Sequence, residues 1–165
     1  MEHEEYGPSF AVTVTRLDGQ WQVRAYEDDF SSLQTSVRAV RALRSEGPAF
    51  ALLCVDDDYF VIVRPTPNGV QALVSDATMA VDDDFAAEIL TELDAEIPDL
   101  DPDELDDVDG WPDGDFELLT DIGLSEEVLG VIADDDDLWP SQQLLRIAEE
   151  LGFAEELSAA AGLED

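Results

Sequence analysis

The beginning of the chain carries a hydrophobic pattern with a period of two. Residues 10–15 alternate apolar and polar side chains, residues 21–26 do the same, and Asp18-Gly19 lies between the two runs. Because successive side chains of a strand point to opposite faces, this alternation is typical of a sheet with one buried face. An Asp-Gly pair is a frequent two-residue turn. The pattern therefore predicts a β-hairpin.

The pattern then changes to helical spacing. Between Ser32 and Arg44 the apolar positions recur every three or four residues, at Leu33, Val37, Val40 and Leu43. This spacing predicts an amphipathic helix that Ser31 or Ser32 can cap. Gly47-Pro48 is a typical signal for the end of such a helix.

Two near-continuous apolar runs of strand length follow, Ala49–Val55 and Tyr59–Arg64, joined by the acidic turn Asp56-Asp57-Asp58. Runs without polar alternation are typical of strands that are buried on both faces, so these two are predicted to be central. A turn at Asn68-Gly69 leads into a further strand over 70–74. A second helix follows, with an apolar face formed by Phe85, Ile89, Leu90 and Leu93.

The element order over residues 1–93 is strand, strand, helix, strand, strand, strand, helix. It predicts an α+β domain built on a five-stranded antiparallel sheet of order ββαβββα, as in the longin, roadblock and profilin-like group of folds. Those folds mostly serve as regulatory scaffolds and dimer platforms, and topology alone does not fix a function. A homodimer formed through an edge strand or a helix stays open.

The remaining chain divides into two further regions. Residues 94–115 hold 11 acidic and no basic side chains, and five Pro or Gly residues interrupt any regular element. This composition predicts a mobile acidic linker. Residues 116–165 contain short amphipathic stretches that predict a small α-helical bundle. Such a bundle is too small to be very stable alone, so we expect it to dock either on its own sheet domain or on a partner.

Charge narrows the class of partner. The net charge is −35, of which residues 1–74 contribute −5 and residues 75–165 contribute −30. A field of this sign repels nucleic acid and attracts basic protein surfaces, so we expect a basic protein partner and no direct nucleic-acid contact. The N-terminus is acidic where a signal peptide needs basic residues, and no apolar run approaches membrane-spanning length. We therefore expect a cytoplasmic protein with no membrane contact.

The motifs of catalysis and metal binding are missing from the sequence. A zinc nucleobase deaminase needs His-x-Glu and Pro-Cys-x-x-Cys, and here His3-Glu4-Glu5 matches the first by letter while Cys54 is the single cysteine. EF-hand spacing fails around Gly110, and no phosphate-binding glycine loop occurs. The interpretation is a protein that is not an enzyme and has no cofactor, although loose divalent-ion binding by the aspartate runs stays open.

Three short groups of residues are candidate partner contacts. They are Asp56, Asp57 and Asp58; Ser75 and Asp76; and Asp136, Asp137 and Trp139. Each has a plainer interpretation beside the functional one, namely a turn, a helix cap, and a helix start with tryptophan as a core anchor. Cys54 is expected in a strand core. Arg38, Arg41 and Arg44 are either a solvated helix edge or a receptor for the acidic segment of the same chain.

Four strings resemble one family across nearly the whole chain, at 54–61, 73–78, 136–140 and 148–153. They are similar to the actinobacterial tRNA adenosine deaminase-associated proteins. The resemblance implies a partner rather than a reaction, with the deaminase carrying the zinc. Two hypotheses follow: a non-enzymatic accessory or regulatory protein of the tRNA wobble-adenosine deaminase that occupies its basic RNA-binding face, or a general acidic nucleic-acid mimic that inhibits another basic protein.

Overall fold

The protein is described by a computed structural model that covers residues 9–28, 30–67, 69–101, 103–104, 110–135 and 137–162. Its centre is one antiparallel sheet of six strands, in the order β2-β1-β3-β4-β5-β6. The strands are β1 (Phe10–Leu17), β2 (Gln20–Ala25), β3 (Ala49–Val55), β4 (Tyr59–Thr66), β5 (Gly69–Val74) and β6 (Asp113–Gly114).

Helices cover both faces of this sheet. The α-helices among the described residues are α1 (Leu33–Ala42), α2 (Asp84–Glu92), α3 (Glu126–Ala133), α4 (Pro140–Leu151) and α5 (Ala154–Ala161). Short 3₁₀ turns occupy Ala77–Val81 and Thr120–Ile122. The first two α-helices share a hydrophobic core with one face of the sheet, and the last three share a second core with the other face.

The two cores explain the apolar runs of the central strands. In β3, Phe50 and Leu52 belong to the core under α3–α5, whereas Ala51 and Leu53 belong to the core under α1 and α2. A strand covered on both faces needs apolar side chains at every position. The prediction that β3 and β4 are central is confirmed, as are the hairpin and the two predicted helices.

The C-terminal helices dock on the sheet of their own chain. Phe153, the residue directly before α5, is fully buried, and its ring centroid lies 4.8 Å from that of Trp21 on β2 and 6.2 Å from that of Phe50 on β3. Of the two docking alternatives that the sequence left open, the structure therefore shows the first. The division into domains at 1–93, 94–115 and 116–165 stays a prediction.

The predicted strand number is wrong by one. The α+β class and the antiparallel sheet are confirmed, but β6 adds a sixth strand from within the predicted linker, where Asp113 pairs with Val74. The backbone N–H of Asp115 donates to the carbonyl of Ala72 at 2.8 Å, and the Asp115 carboxylate accepts from the N–H of Ala72 at 3.2 Å. These contacts hold the end of the acidic segment against β5.

Within the described part of the chain, no helix combines the length and apolar composition that crossing a bilayer requires. The likeness to the longin, roadblock and profilin-like group stays a prediction. Several of the predicted contact residues lie at the end of the sheet where the β3–β4 turn contacts the start of α4.

Candidate partner-binding site

Three segments that are distant in the sequence meet at one end of the sheet. They are the β3–β4 turn, the residues after β5 and the start of α4. Asp58, Ser75 and Pro140, one residue from each segment, line a common cleft of about 150 Å³. The three groups of predicted contact residues thus lie in or beside one cleft. Asp136 lies outside the described residues.

Asp57 links the first segment to the third. Its side chain is 8% exposed, and its Oδ1 accepts a hydrogen bond from the backbone N–H of Ser141 at 2.7 Å. Its Oδ2 accepts from the Ser141 hydroxyl at 3.2 Å. The first backbone N–H groups of a helix have no partner inside the helix, and the helix dipole favours a negative charge there. Asp57 therefore caps α4 from a distant part of the sequence.

Cys54 lies beneath this carboxylate and is fully buried in β3. Its Sγ lies 3.5 Å from Oδ1 of Asp57. Burial, followed by the negative charge of Asp57, raises the pKa of the Cys54 thiol well above its ordinary value. Because the thiolate is the reactive form of cysteine, these surroundings favour a structural thiol over a nucleophile.

The residues after β5 are ordered by local hydrogen bonds. The Ser75 hydroxyl accepts from the backbone N–H of Phe60 at 2.8 Å. The Asp76 carboxylate accepts from the backbone N–H of Thr78 at 3.0 Å and so caps the 3₁₀ turn. Gly110 lies directly against the Asp76 carboxyl group, so a side chain at position 110 would collide with it. The predicted cap is present, and Asp76 also lines the cleft.

Acidic side chains surround the cleft. Its lining includes Asp58, Asp76, Asp134 and Asp135. Among the described residues, no arginine forms an ion pair with any of these carboxylates, because the ion pairs that occur there are Arg64–Asp121 and Arg146–Glu150. The cleft therefore presents negative charge that no basic side chain of the described chain neutralises.

Asp58 shows the electrostatic consequence of this crowding. Burial is the largest influence on its carboxyl group, followed by the negative charges of Asp56, Asp57 and Asp83, and together they raise its pKa above the ordinary value. A carboxylate surrounded by others of the same sign is stabilised by an approaching cation. The crowding therefore leaves the cleft with an excess of negative charge.

Trp139 is a large exposed apolar residue that lies in the chain between Leu138 and Pro140, two residues of the cleft lining. Its side chain is 63% exposed, and its backbone N–H donates to Oε1 of Gln142 at 2.8 Å. Pro140 is the first residue of α4, as the sequence predicts. The interpretation of Trp139 as a core anchor is wrong, because α4 covers the sheet with Leu144, Ile147 and Ala148 instead.

Trp111 is a second exposed aromatic residue in this area, and the sequence prediction missed it. It is 41% exposed, it follows Gly110 of the cleft, and its carbonyl accepts from the N–H of Ala77 at 2.7 Å. The signal in the sequence was an aromatic residue between Gly110 and Pro112, inside a segment that is otherwise acidic. Such a residue has no role in a solvated linker.

None of the predicted arginines Arg38, Arg41 and Arg44 lines the cleft. Nη2 of Arg41 donates to the carbonyls of Thr66 and Gly69 at 3.0 and 3.1 Å, so Arg41 supports the connection between β4 and β5. Arg38 and Arg44 are exposed. In the described ranges, no group of three or more His, Cys, Asp or Glu residues is arranged to hold a metal ion.

The comparisons with known proteins agree with one another. The family model described as Rv3753c-like tRNA adenosine deaminase-associated protein matches residues 9–154. Protein Rv3753c of Mycobacterium tuberculosis (strain ATCC 25618 / H37Rv) is 52% identical over 151 residues, which cover 91% of this chain and 86% of that relative. No solved structure matches the chain. The chain belongs to the Rv3753c-like tRNA adenosine deaminase-associated protein family.

Proposed function

We propose that this protein is a non-enzymatic accessory or regulatory protein that associates with the tRNA wobble-adenosine deaminase. The description of its family supports the association. A tRNA-binding enzyme must offer a basic face to a polyanion, and the acidic cleft has the charge that such a face attracts. Charge alone would suit many basic proteins, so the identity of the partner rests on the family.

The observation that carries the proposal is the exposed Trp139, flanked in the chain by two cleft residues, together with cleft aspartates that form no ion pair with an arginine. Trp139 is 63% exposed, so a partner that covers it would bury apolar surface. Tryptophan is also among the residues that contribute most to the binding energy of protein interfaces. Asp58 and Asp134 lie in the adjoining cleft, where they can steer a basic surface toward the aromatic ring. Asp57 is buried and serves this surface by holding its segments together.

The proposed mechanism is competition with RNA. If the acidic surface covers the basic face of the deaminase, tRNA and this protein exclude each other. Both complexes then rely on charge, so the affinity of this protein for the deaminase should fall steeply with added salt. The enzyme carries out the chemistry, and this protein controls access to it.

The residues of the chain support an accessory role more than a catalytic one. The single cysteine is buried with a raised thiol pKa, so it cannot supply the cysteine pair that binds zinc in a nucleobase deaminase. The aspartates of the cleft accept hydrogen bonds that shape local turns or face solvent. Among the described residues, no histidine, cysteine or arginine lines the cleft beside these aspartates.

The first experiment measures binding to the deaminase of the same organism by titration calorimetry. Trp139→Ala should weaken binding by at least about ten-fold, as expected for truncation of a central aromatic contact. Leu17→Ala is the matched control, because Leu17 is 53% exposed on the β1–β2 hairpin and its truncation should leave the affinity unchanged. Equal affinity of the Trp139→Ala variant and the wild type would overturn the proposed surface.

A second experiment separates competition from association. The two proteins are mixed with and without the substrate tRNA, and the complexes are resolved by size-exclusion chromatography at increasing salt. Competition predicts that tRNA displaces this protein. A stable ternary complex would overturn competition and leave association standing. Recovery of nucleases or polymerases with no deaminase, in affinity capture from cells, would favour the general acidic mimic instead.

A further inference from the structure

One polar side chain of the cleft lining, that of Gln143, is almost fully buried, with 5% of its surface exposed. Its Nε2 donates to the carbonyls of Ile132, Ala133 and Asp135 at 2.8, 3.1 and 3.2 Å. Its Oε1 accepts no hydrogen bond from any described residue. Within the described ranges, no fully buried polar side-chain atom lacks a partner, so Oε1 reaches the surface where Gln143 lines the cleft. The cleft therefore contains an acceptor that is still unused.

The cleft also lies at the C-terminal end of α3. Ala133 is the last residue of this helix, and it lines the cleft together with Asp134 and Asp135. The C-terminal end of a helix carries a partial negative charge and favours a cation. The last turn of α3 contains no basic residue. A cation in the cleft would supply the positive charge that α3 lacks.

The groups that line the cleft call for a ligand that donates hydrogen bonds. The carboxylates of Asp58 and Asp76, from the other two segments, add further acceptors. Pro140, the first residue of α4, has no N–H to donate. The lining contains no lysine, arginine or histidine. The guanidinium of arginine and the ammonium of lysine donate and do not accept, so these are the matching chemical groups.

Size and spacing favour a guanidinium among the possible cations. The cleft has a volume of about 150 Å³, whereas small-molecule sites begin at about 300 Å³, so it has room for one side chain rather than a metabolite. No group of three or more His, Cys, Asp or Glu residues in the described ranges is close enough together for a metal ion. A guanidinium reaches acceptors that lie further apart, because its five donors spread over a planar fork.

Exposed apolar side chains continue from the cleft along α3. Val131 is 71% exposed and Val128 is 39% exposed. Val128, Val131 and Asp134 follow one another at intervals of three residues, so they lie on one face. This row ends at the cleft, because Asp134 is part of its lining. A protein that placed a side chain in the cleft could cover these valines at the same time.

We propose that the cleft binds one arginine side chain of a protein partner, with the guanidinium donating to Oε1 of Gln143 and to the carboxylates of Asp134 and Asp58. The identity of that partner as the deaminase rests on the proposed function, whereas the chemistry of the cleft does not. Arginine also binds phosphate through paired hydrogen bonds. An arginine of an RNA-binding face that enters the cleft is therefore withdrawn from RNA.

The first test uses the protein alone and three capped amino acids: N-acetyl-arginine amide, its neutral analogue N-acetyl-citrulline amide, and N-acetyl-lysine amide. Each is titrated at constant ionic strength and followed by the amide chemical shifts of the protein. The arginine compound should shift the side-chain amide of Gln143 and the backbone amide of Asp134, and the shifts should saturate. The citrulline compound should leave them unchanged. The lysine compound should bind at least about three-fold more weakly, because it has three donors instead of five.

Two variants locate the binding in the cleft. Asp134→Arg places a guanidinium of the chain itself beside the cleft and should abolish the saturable shifts. Glu92→Arg is the matched control, because Glu92 is exposed at the end of α2, another helix C-terminus, and does not line the cleft. It should change the affinity by less than about two-fold, since salt screens distant charges. Asp58→Asn is a milder variant that should weaken binding by about three- to five-fold.

Nonspecific attraction to the acidic surface would give a different pattern. Equal affinity for the arginine and lysine compounds overturns the proposal, and so do shifts that Asp134→Arg and Asp58→Asn both leave unchanged. Calorimetry with the deaminase separates this inference from the proposed function. Binding that Trp139→Ala weakens and Asp134→Arg does not would retain the proposed function and overturn the arginine in the cleft. Binding of the arginine compound without binding of the deaminase would support the chemistry of the cleft and overturn the proposed function.

Discussion

The two faces of the sheet are covered by helices of similar size but are secured in different ways. On the α1–α2 face, two side-chain contacts join residues that are closer in the sequence: Tyr26 with Ser36, 10 residues apart, and Tyr59 with Asp83, 24 residues apart. One longer contact also occurs there, from the N–H of Leu33 to the carboxylate of Glu88, 55 residues apart. On the α3–α5 face, Asp57 bonds Ser141 across 84 residues, and Arg64 bonds Asp121 across 57.

The difference shows that the start of α4 depends on a residue from a distant part of the chain. The helix α2 carries its own cap, because Oδ1 of Asp83 accepts from the N–H of Phe85 at 3.0 Å. The helix α4 begins at Trp139-Pro140, where the Gln142 side chain accepts from the N–H of Trp139, and it also receives Asp57 from a distant part of the chain. The start of α2 is therefore ordered by a neighbouring residue, whereas the start of α4 also needs the β3–β4 turn of the completed sheet.

Removing the central aromatic contact of the α3–α5 face should have the largest effect. Phe153→Ala deletes a fully buried ring that contacts Trp21 and Phe50, and it should cost about 3–5 kcal/mol in the free energy of unfolding. Phe85→Ala is the matched change on the other face. Urea unfolding followed by circular dichroism should show one transition in both variants. A separate early transition in Phe153→Ala alone would mean that the two layers unfold independently.

Removing the cap that Asp57 provides to α4 should have the next largest effect on the free energy of unfolding. Asp57→Ala leaves the buried N–H of Ser141 without an acceptor, which should cost about 1–3 kcal/mol. Asp57→Asn keeps a side-chain oxygen but loses the charge, so its cost should be smaller. Urea unfolding of both variants checks the order. If the alanine variant is as stable as the wild type, the carboxylate is not what orders the start of α4.

The corresponding contact on the α1–α2 face should be weaker. Tyr59→Phe removes only the hydroxyl that donates to Oδ2 of Asp83 at 2.7 Å, and Asp83 keeps its bond to Phe85. The expected loss is about 1 kcal/mol, the usual value for one hydrogen bond. Thermal unfolding of the two single variants Tyr59→Phe and Asp57→Ala, measured in parallel, compares the stability that each face loses. A larger loss in Tyr59→Phe would reverse the comparison.

The same contrast explains which elements could be predicted from the sequence. The hairpin, α1, α2 and the two central strands follow from periodicity and turn residues, both of which are local signals. The strand β6 has two residues and no periodicity. It forms because Gly114, at φ 132°, lies so close to the Ala72 carbonyl and Leu73 that a side chain would not fit. That contact exists only after β5 is in place.

The candidate site was predicted in part for the same reason. The groups at 56–58, 75–76 and 136–139 were identified from the sequence, but their convergence depends on how α4 docks. Asp57 looks like its neighbours in the acidic turn, and its burial and its bonds to Ser141 are evident only in the folded structure. Trp139 is of a residue type that is often buried in a core, and only the path of the chain into α4 leaves it exposed to solvent.

The ion pair that secures the C-terminal layer should show in the pH dependence of stability. Hydrogen bonding to Arg64 is the largest influence on Asp121, and it lowers the pKa of that carboxyl below its ordinary value of 3.8. A lowered native pKa stabilises the fold above the unfolded pKa, and the gain is lost as the pH falls through the native value. Because Asp121 is largely exposed, Asp121→Asn should destabilise by at most about 1 kcal/mol at pH 7. Urea unfolding should show the variant and wild type converging in acid.

The carboxyl group of Asp58 should make stability change with pH in the opposite direction, and its effect on the free energy of unfolding should be the smallest. Its native pKa is raised above 3.8 by burial and by three neighbouring carboxylates, so the native state binds more protons than the unfolded state. Stability therefore falls as the pH rises through this window, and the penalty is complete at pH 7. Asp58→Asn removes the penalty and should stabilise the protein by less than about 0.5 kcal/mol, the usual range for an exposed position.

Asp84→Asn is the matched control for this last variant, because it removes one negative charge at the start of α2, where the helix dipole favours that charge. It should not stabilise the protein. Urea unfolding of both variants at pH 7 and near pH 3.8 separates the crowding of the cleft from the total charge of the chain. Equal stabilisation by both changes would assign the effect to net charge, and the acidic cleft would lose its special place among the acidic surfaces of this protein.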